Sequence, residues 1–297
     1  TGSMQNSVGF GPNSSDTLLS VGTTDAFFAK FLSDGNIGWA RNIGGTGGAG
    51  GTGISIKGSN VYLTGTFNGS INANPLTGTT VLLASLGLQD MFIGKYELSD
   101  GSLPSWNWAK NIGTPVFSST DSIYSSGITV SQSGHIYLIG MFKGTIDFDP
   151  NTTITNTETS SGTGDIFFAR YDNNGDYDWA RRVGHILEDK GLAIAIDTSE
   201  NVYITGAFQD TVDFDPGDDL ANRASSGSND IFIAKYSKGT SSIIGTVTED
   251  GGLTNGTIKL YTQIMNDGNL AMHLMAEASI VNGAYTFNGI YAGSYIL

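Results

Sequence analysis

The chain has no cysteine, which excludes disulfide staples, zinc–thiolate centres and thiol nucleophiles while leaving the compartment open. Proline is scarce, at six in 297 residues, and cations are few: 14 Lys and Arg stand against 28 Asp and Glu, for a net charge of −14. No Lys/Arg cluster is present to neutralise phosphates, so neither nucleic acid nor an anionic membrane is an expected partner. No apolar run reaches the length of a membrane span and no signal-peptide pattern opens the chain. The TGSMQ start reads as a processed or engineered end, compatible with a removed export signal. What is abundant is glycine, 42 residues, with many Ser, Thr, Asn and Asp, while 39% of residues are hydrophobic. That is the composition of a globular chain of many short strands and tight turns.

One heptad of sequence organises the rest. DIFFARY, starting at Asp165, recurs as DAFFAKF at Asp25, DMFIGKY at Asp90 and DIFIAKY at Asp230. Matched pieces follow each of the first three copies: Trp39-Ala40-Arg41, Trp108-Ala109-Lys110 and Trp179-Ala180-Arg181. A further set is Val61-Tyr62-Leu63-Thr64-Gly65, Ile136-Tyr137-Leu138-Ile139-Gly140 and Val202-Tyr203-Ile204-Thr205-Gly206, each preceded by a short alternating run. The copies start 65, 75 and 65 residues apart, which marks a repeat array, and one unit contains four strand candidates. Asp34-Gly35, Asp100-Gly101 and Asn174-Gly175 supply hairpin turns before the Trp strand.

The Asp-Phe strands are apolar on both faces, because Phe167 and Ala169 point one way while Ile166 and Phe168 point the other. Such two-sided burial fits a sheet packed between two neighbours, as in a propeller blade. Small residues at Ala29, Gly94, Ala169 and Ala234 let adjacent sheets approach. The expected fold is therefore all-β: blades of four antiparallel strands over residues 1–240. Residues 52–112 and 126–183 form two full units, 7–43 an incomplete one, and 192–236 one without its Trp strand. Roughly four blades are at the low end for ring closure, and the strand-like end at 293–297 adds to the expectation of an incomplete sequence or part of a larger propeller. Residues 241–297 alternate around Gly and Asp-Gly turns and are expected to form a small β-sandwich. Within it, NLAMHLMAEA (269–278) is the one stretch compatible with a helix, but its neighbours read as strands, so a loop or irregular strand is an equal expectation.

The unit D-x-F-[FI]-[AG]-[KR]-[YF], Trp-Ala-[RK], [VI]-Tyr-x-x-Gly resembles the bacterial β-propeller repeat called the SBBP repeat, as do the GTIDFDPN and DTVDFDPGDD inserts at Gly144 and Asp210. The segments GTIKLY and AYTFNGIYAGSYIL resemble carboxypeptidase-regulatory or transthyretin-like (immunoglobulin-like) sandwich modules. These resemblances imply a secreted or cell-surface bacterial protein that serves as a structural, adhesion or assembly scaffold, with no catalytic residues to carry over. The implied partners are other extracellular proteins or glycans, or further copies of the chain. The alternative is a carbohydrate-binding or carbohydrate-active protein that uses the propeller face.

The best ligand candidates are the Asp-Phe-Asp-Pro inserts. Asp147 and Asp149, and Asp213, Asp215 and Asp218, put carboxylates beside loop carbonyls, a set that calcium could use. The competing reading is that these side chains cap the loop's own amides while the Phe plugs between blades. The first full unit has Asn72 and Asn74 at these positions and so lacks both charges. The glycine run Gly44 to Gly53 contains a literal G-x-G-x-x-G, but a strand rather than a helix follows, so it reads as a flexible inter-blade loop and no cofactor is expected. His135, His185 and His273 sit in unrelated contexts without metal-ligand spacing. Asp25, Asp90, Asp165 and Asp230 read as structural caps on neighbouring turn amides. Trp106, the one tryptophan outside the repeat position, is expected to be the exposed aromatic.

Overall fold

The computed structural model describes residues 1–11, 17–75, 79–98, 104–217 and 220–237 in full. Beyond these it describes the backbone of four strands, Ser242–Thr246, Asn255–Asn266, Asn269–Val281 and Ala284–Asn288. Among the described residues every regular element is a β-strand.

Four antiparallel sheets follow one another along the chain. The second blade runs Ala49–Lys57, Asn60–Phe67, Asp90–Glu97 and Ser105–Ile112, paired in that order from inner to outer strand. The third repeats it with Ser122–Val130, Ile136–Lys143, Asp165–Tyr171 and Tyr177–Val183. The fourth has Lys190–Ile196, Val202–Phe208 and Asp230–Tyr236. The first has Gly2–Met4, Asp25–Phe31 and Ile37–Gly45. In each unit a small hairpin is inserted between the second and third strands, such as Thr145–Asp147 with Thr157–Thr159.

Register is kept from copy to copy. Ala29 faces Ala40, Gly94 faces Ala109 and Ala169 faces Ala180 across the third and outer strands. The inner strands carry an equivalent β-bulge at Gly51/Gly53, Ser125/Gly127 and Gly191/Ala193, which bends each strand at the same place. Inner strands of successive blades lie side by side. Backbone bonds stitch them at Ala49 N to Thr24 O (2.9 Å), Ile123 N to Gln89 O (3.0 Å) and Asp189 N to Gly164 O (2.8 Å).

The core consists of three clusters, one per blade interface. Ala26 and Phe28 pack on Val61, Leu63, Phe92 and Tyr96. Tyr62, Met91 and Ile93 pack on Leu138, Phe142, Phe167 and Tyr171. Tyr137, Ile139, Ile166 and Phe168 pack on Ile204, Phe208, Phe214 and Phe232. In the second and third blades successive residues of the third strand thus serve two different interfaces, and neither face turns to water. This is the physical reason for the two-sided apolar pattern in the repeat.

One sequence expectation changes. The glycine run is mostly strand, ending one blade at Gly45 and opening the next at Ala49. Glycine is required because backbones touch: a Cβ on Gly45 would sit 2.0 Å from the Ser70 carbonyl, and one on Gly47 1.9 Å from that of Asn68. Of the readings open for 269–278 the structure takes the irregular strand: Asn269–Val281 pairs with Asn255–Asn266 across a bulge at Leu260/Tyr261, and that pairing overrides local helical propensity. The four strands after residue 241 form one antiparallel sheet. A second sandwich layer is not among the described residues.

Candidate functional site

The acid that opens each repeat is a lock. Asp25 accepts from the amides of Val21 (3.0 Å) and Gly22 (3.3 Å). Asp90 accepts from Leu86 N (3.2 Å), Asp165 from Ser161 N (3.0 Å) and Asp230 from Ser226 N (2.9 Å). The outer strand adds a side-chain donor in three blades: Asn42 Nδ2 to Asp25 (2.6 Å), Asn111 Nδ2 to Asp90 (3.3 Å) and Arg182 Nη1 to Asp165 (2.7 Å). Two residues further on, glycine recurs because a Cβ would meet the carboxyl carbon at 2.0 Å (Gly44 on Asp25), 2.2 Å (Gly113 on Asp90) and 2.7 Å (Gly184 on Asp165). Asp25, Asp90 and Asp165 are fully buried, and burial raises the Asp90 carboxyl above the usual carboxylate range. The expected turn-capping role is what the geometry displays.

In the insert loops the first acid is an amide acceptor. Asp147 Oδ1 accepts from Asp149 N (3.0 Å) and Asn156 N (2.9 Å), and Asp213 Oδ1 from Asp215 N (3.0 Å) and Ala221 N (2.8 Å). Asn72 Oδ1 does the same with Asn74 N (3.1 Å) and Val81 N (2.9 Å). A neutral amide oxygen therefore suffices to close the loop. Asp149 accepts from Asn151 N (2.9 Å) and Asn156 Nδ2 (2.8 Å), and Asp215 from Gly217 N (2.7 Å). The structure brings the acids together in pairs, Asp147 with Asp149 and Asp213 with Asp215, each pair within its own loop. Asp218 lies outside the described residues. Among the described residues no group of three or more Asp, Glu, His or Cys has metal-site geometry.

The two loops differ electrostatically. Burial pushes the Asp147 carboxyl up, whereas the amides of Ala221 and Asp215 hold Asp213 down. The loop phenylalanines plug the blades, with Phe148 5.6 Å from Phe142 and 5.2 Å from Phe167, and Phe214 5.3 Å from Phe208 and 4.8 Å from Phe232. Each loop is also tied by a phenol: Tyr171 Oη donates to Phe148 O and Tyr236 Oη to Phe214 O, both at 2.8 Å, and Tyr96 Oη to Ala73 O at 2.7 Å.

At the opposite blade ends, hairpin tips reach across interfaces. Lys57 Nζ donates to Gln132 O (2.6 Å), and Asn173 Oδ1 accepts from Tyr62 Oη (2.7 Å) and Lys95 Nζ (2.9 Å). The third and fourth blades are clasped by Ser133, His135 and Glu200. Ser133 Oγ donates to Glu200 Oε1 and lies 2.8 Å from His135 Nδ1, itself 3.3 Å from Glu200 Oε1. His135 Nε2 stands 4.0 Å from Asp178, which accepts from Arg170 Nε at 3.0 Å. Serine and carboxylate share one ring nitrogen, so the imidazole does not stand between acid and hydroxyl as a relay would require. Sequence reasoning missed this clasp because its members lie in equivalent turns of different repeats, which no spacing signals. Trp106 is half-buried against the core instead of exposed.

A groove of about 730 Å³ lies between the outer strand of the third blade and the third strand of the fourth, lined by Trp179, Arg181, Arg182, Asp215, Lys235 and Tyr236.

No family model matches the chain. It is 27% identical over 97 residues to an uncharacterized WD repeat-containing protein of Acanthamoeba polyphaga mimivirus, a match covering 28% of this chain and 7% of that protein. It is 26% identical over 136 residues to the regulatory protein FlaEY of Caulobacter vibrioides, covering 46% of this chain and 12% of that one. The aligned stretch is thus a small fraction of each relative. The likeness to a WD repeat-containing protein agrees with the repeated blades described above.

Proposed function

We propose that the chain is a non-catalytic bacterial scaffold, secreted or displayed at the cell surface, built from SBBP-type blades and followed by a transthyretin-like module. It serves adhesion or assembly, with extracellular proteins, glycans or further copies of the chain as partners. The observation that carries this reading is where the recurrent carboxylates go. Asp25, Asp90 and Asp165 are buried on turn amides and outer-strand donors. Asp147 and Asp213 close loops that Asn72 closes without charge. Acids used in this way fix backbone geometry and are not poised for proton transfer. A repeated rigid framework with variable loops suits display. The test is incubation of the purified chain with polysaccharide and peptide panels. Retained binding without hydrolysis is expected, and specific turnover of any substrate would overturn the reading.

A further inference from the structure

The fourth blade is the unit without a Trp strand. In the other three, the outer edge of the third strand is paired in one register, Ala29 with Ala40, Gly94 with Ala109 and Ala169 with Ala180. Among the described residues Asp230–Tyr236 pairs with Val202–Phe208 alone, so its outer row of N–H and C=O groups forms a sheet edge. Asp230 keeps its turn amide, Ser226 N at 2.9 Å, and among the described residues it has no counterpart of the Asn42, Asn111 and Arg182 donors. The groove between the third and fourth blades meets this strand only at its far end, at Lys235 and Tyr236.

The three outer strands share one sequence: Trp-Ala-Arg-Asn-Ile-Gly from Trp39, Trp-Ala-Lys-Asn-Ile-Gly from Trp108 and Trp-Ala-Arg-Arg-Val-Gly from Trp179. Each position has a physical reason. Tryptophan stands opposite Lys30, Lys95 or Arg170, and Lys235 is the equivalent cation here. Alanine meets the small central residue, Ala234 in this blade. The Asn or Arg reaches the buried Asp, and glycine leaves room for its carboxyl group.

We propose that the outer edge of Asp230–Tyr236 docks an extended segment of this Trp-Ala-[Arg/Lys]-[Asn/Arg]-[Ile/Val]-Gly pattern, supplied by another polypeptide and added as an antiparallel fourth strand. Main-chain bonds to the edge hold the segment, Asp230 fixes its register, and the Trp and Ala positions set its specificity. The partner chemistry is therefore an extended, cationic, tryptophan-bearing strand, which suits an edge that ends in a carboxylate. The proposal gives the scaffold function above a specific partner chemistry and rests on it for purpose. It is tested by binding alone, whereas that function is tested by turnover, so the two can fail separately.

The probe is the peptide Tyr-Asp-Trp-Ala-Arg-Arg-Val-Gly, the sequence of residues 177–184, added to the full chain and followed by amide hydrogen exchange. Saturating peptide should slow exchange of the outward amides of Asp230–Tyr236 by about tenfold or more, leaving Asp165–Tyr171 unchanged. A shuffled peptide should have no effect. A peptide with Ala at the position equivalent to Arg182, or the Asp230→Asn chain, should bind several-fold more weakly. No slowing at millimolar peptide, equal slowing by the shuffled peptide, or protection away from this edge would each overturn the proposal.

Discussion

The third and fourth blades are built from nearly the same strand, DIFFARY and DIFIAKY, and they part on one side only. Towards the preceding blade they are alike: Phe142, Phe148 and Phe167 pack at 5.2 to 6.5 Å, and Phe208, Phe214 and Phe232 at 4.8 to 6.4 Å. Towards the following blade they differ completely. Ile166 is 0% exposed and Phe168 2%, whereas Ile231 is 87% exposed and Ile233 83%. The same side chain is core or surface according to whether another unit follows. Burial in such an array therefore belongs to the interface and not to the repeat.

That comparison can be broken by substitution. The largest effect is expected for Ile166→Ala, which should cost about 2–5 kcal/mol in urea unfolding because it empties a packed interface. Ile231→Ala should stay within about 0.5 kcal/mol. Next, Asp165→Ala should cost about 2–3 kcal/mol, since it removes the carboxylate acceptor of the Ser161 amide and one of the acceptors of the Arg182 guanidinium. Asp230→Ala, which loses one amide bond, should cost about 1 kcal/mol. Tyr171→Phe removes the bond to Phe148 O and should cost about 1 kcal/mol, and the first blade carries Phe31 at that position naturally.

The acids of the insert loops should show opposite pH dependence. Asp147 has a raised folded value, so the stability it contributes is present at low pH and lost as pH rises through that value. Asp147→Asn should therefore be neutral or stabilising at pH 7. Asp213 has a lowered value, so its contribution is present above the unfolded carboxylate range and lost as pH falls through the folded value. Asp213→Asn should destabilise at pH 7, and the penalty should shrink as the pH falls below the ordinary carboxylate range. Smallest of all, chelator or added calcium should leave Tm unchanged, because Asn72 closes the equivalent loop without a charge. A shift of several degrees would favour the calcium reading of Asp147, Asp149, Asp213, Asp215 and Asp218.

Much of this architecture was legible in the chain. The fourfold Asp-Phe motif and its two-sided apolar pattern led to blades packed on both faces, and among the described residues the sheet of the fourth unit, which lacks a Trp strand in sequence, has three strands. The structural reading of Asp25, Asp90, Asp165 and Asp230 was accessible because a repeat-equivalent acid next to turn residues has a local job. Two things were not legible. Gly45 and Gly47 are dictated by carbonyls more than twenty residues away, a long-range steric fact without local signature. The Ser133–His135–Glu200 clasp joins turns of different blades, so its members come together only through packing. The preference of 269–278 for strand has the same cause, since a long paired neighbour decides it.

The central claim is that the outer edge of Asp230–Tyr236 is open where that of Asp165–Tyr171 is closed by the Trp strand of its own blade. Native-state hydrogen exchange on the chain alone tests it most directly. The account predicts that the amides of Asp165–Tyr171 exchange only through global opening, while the outward amides of Asp230–Tyr236 exchange orders of magnitude faster through local opening. Equal protection of the two strands would contradict it.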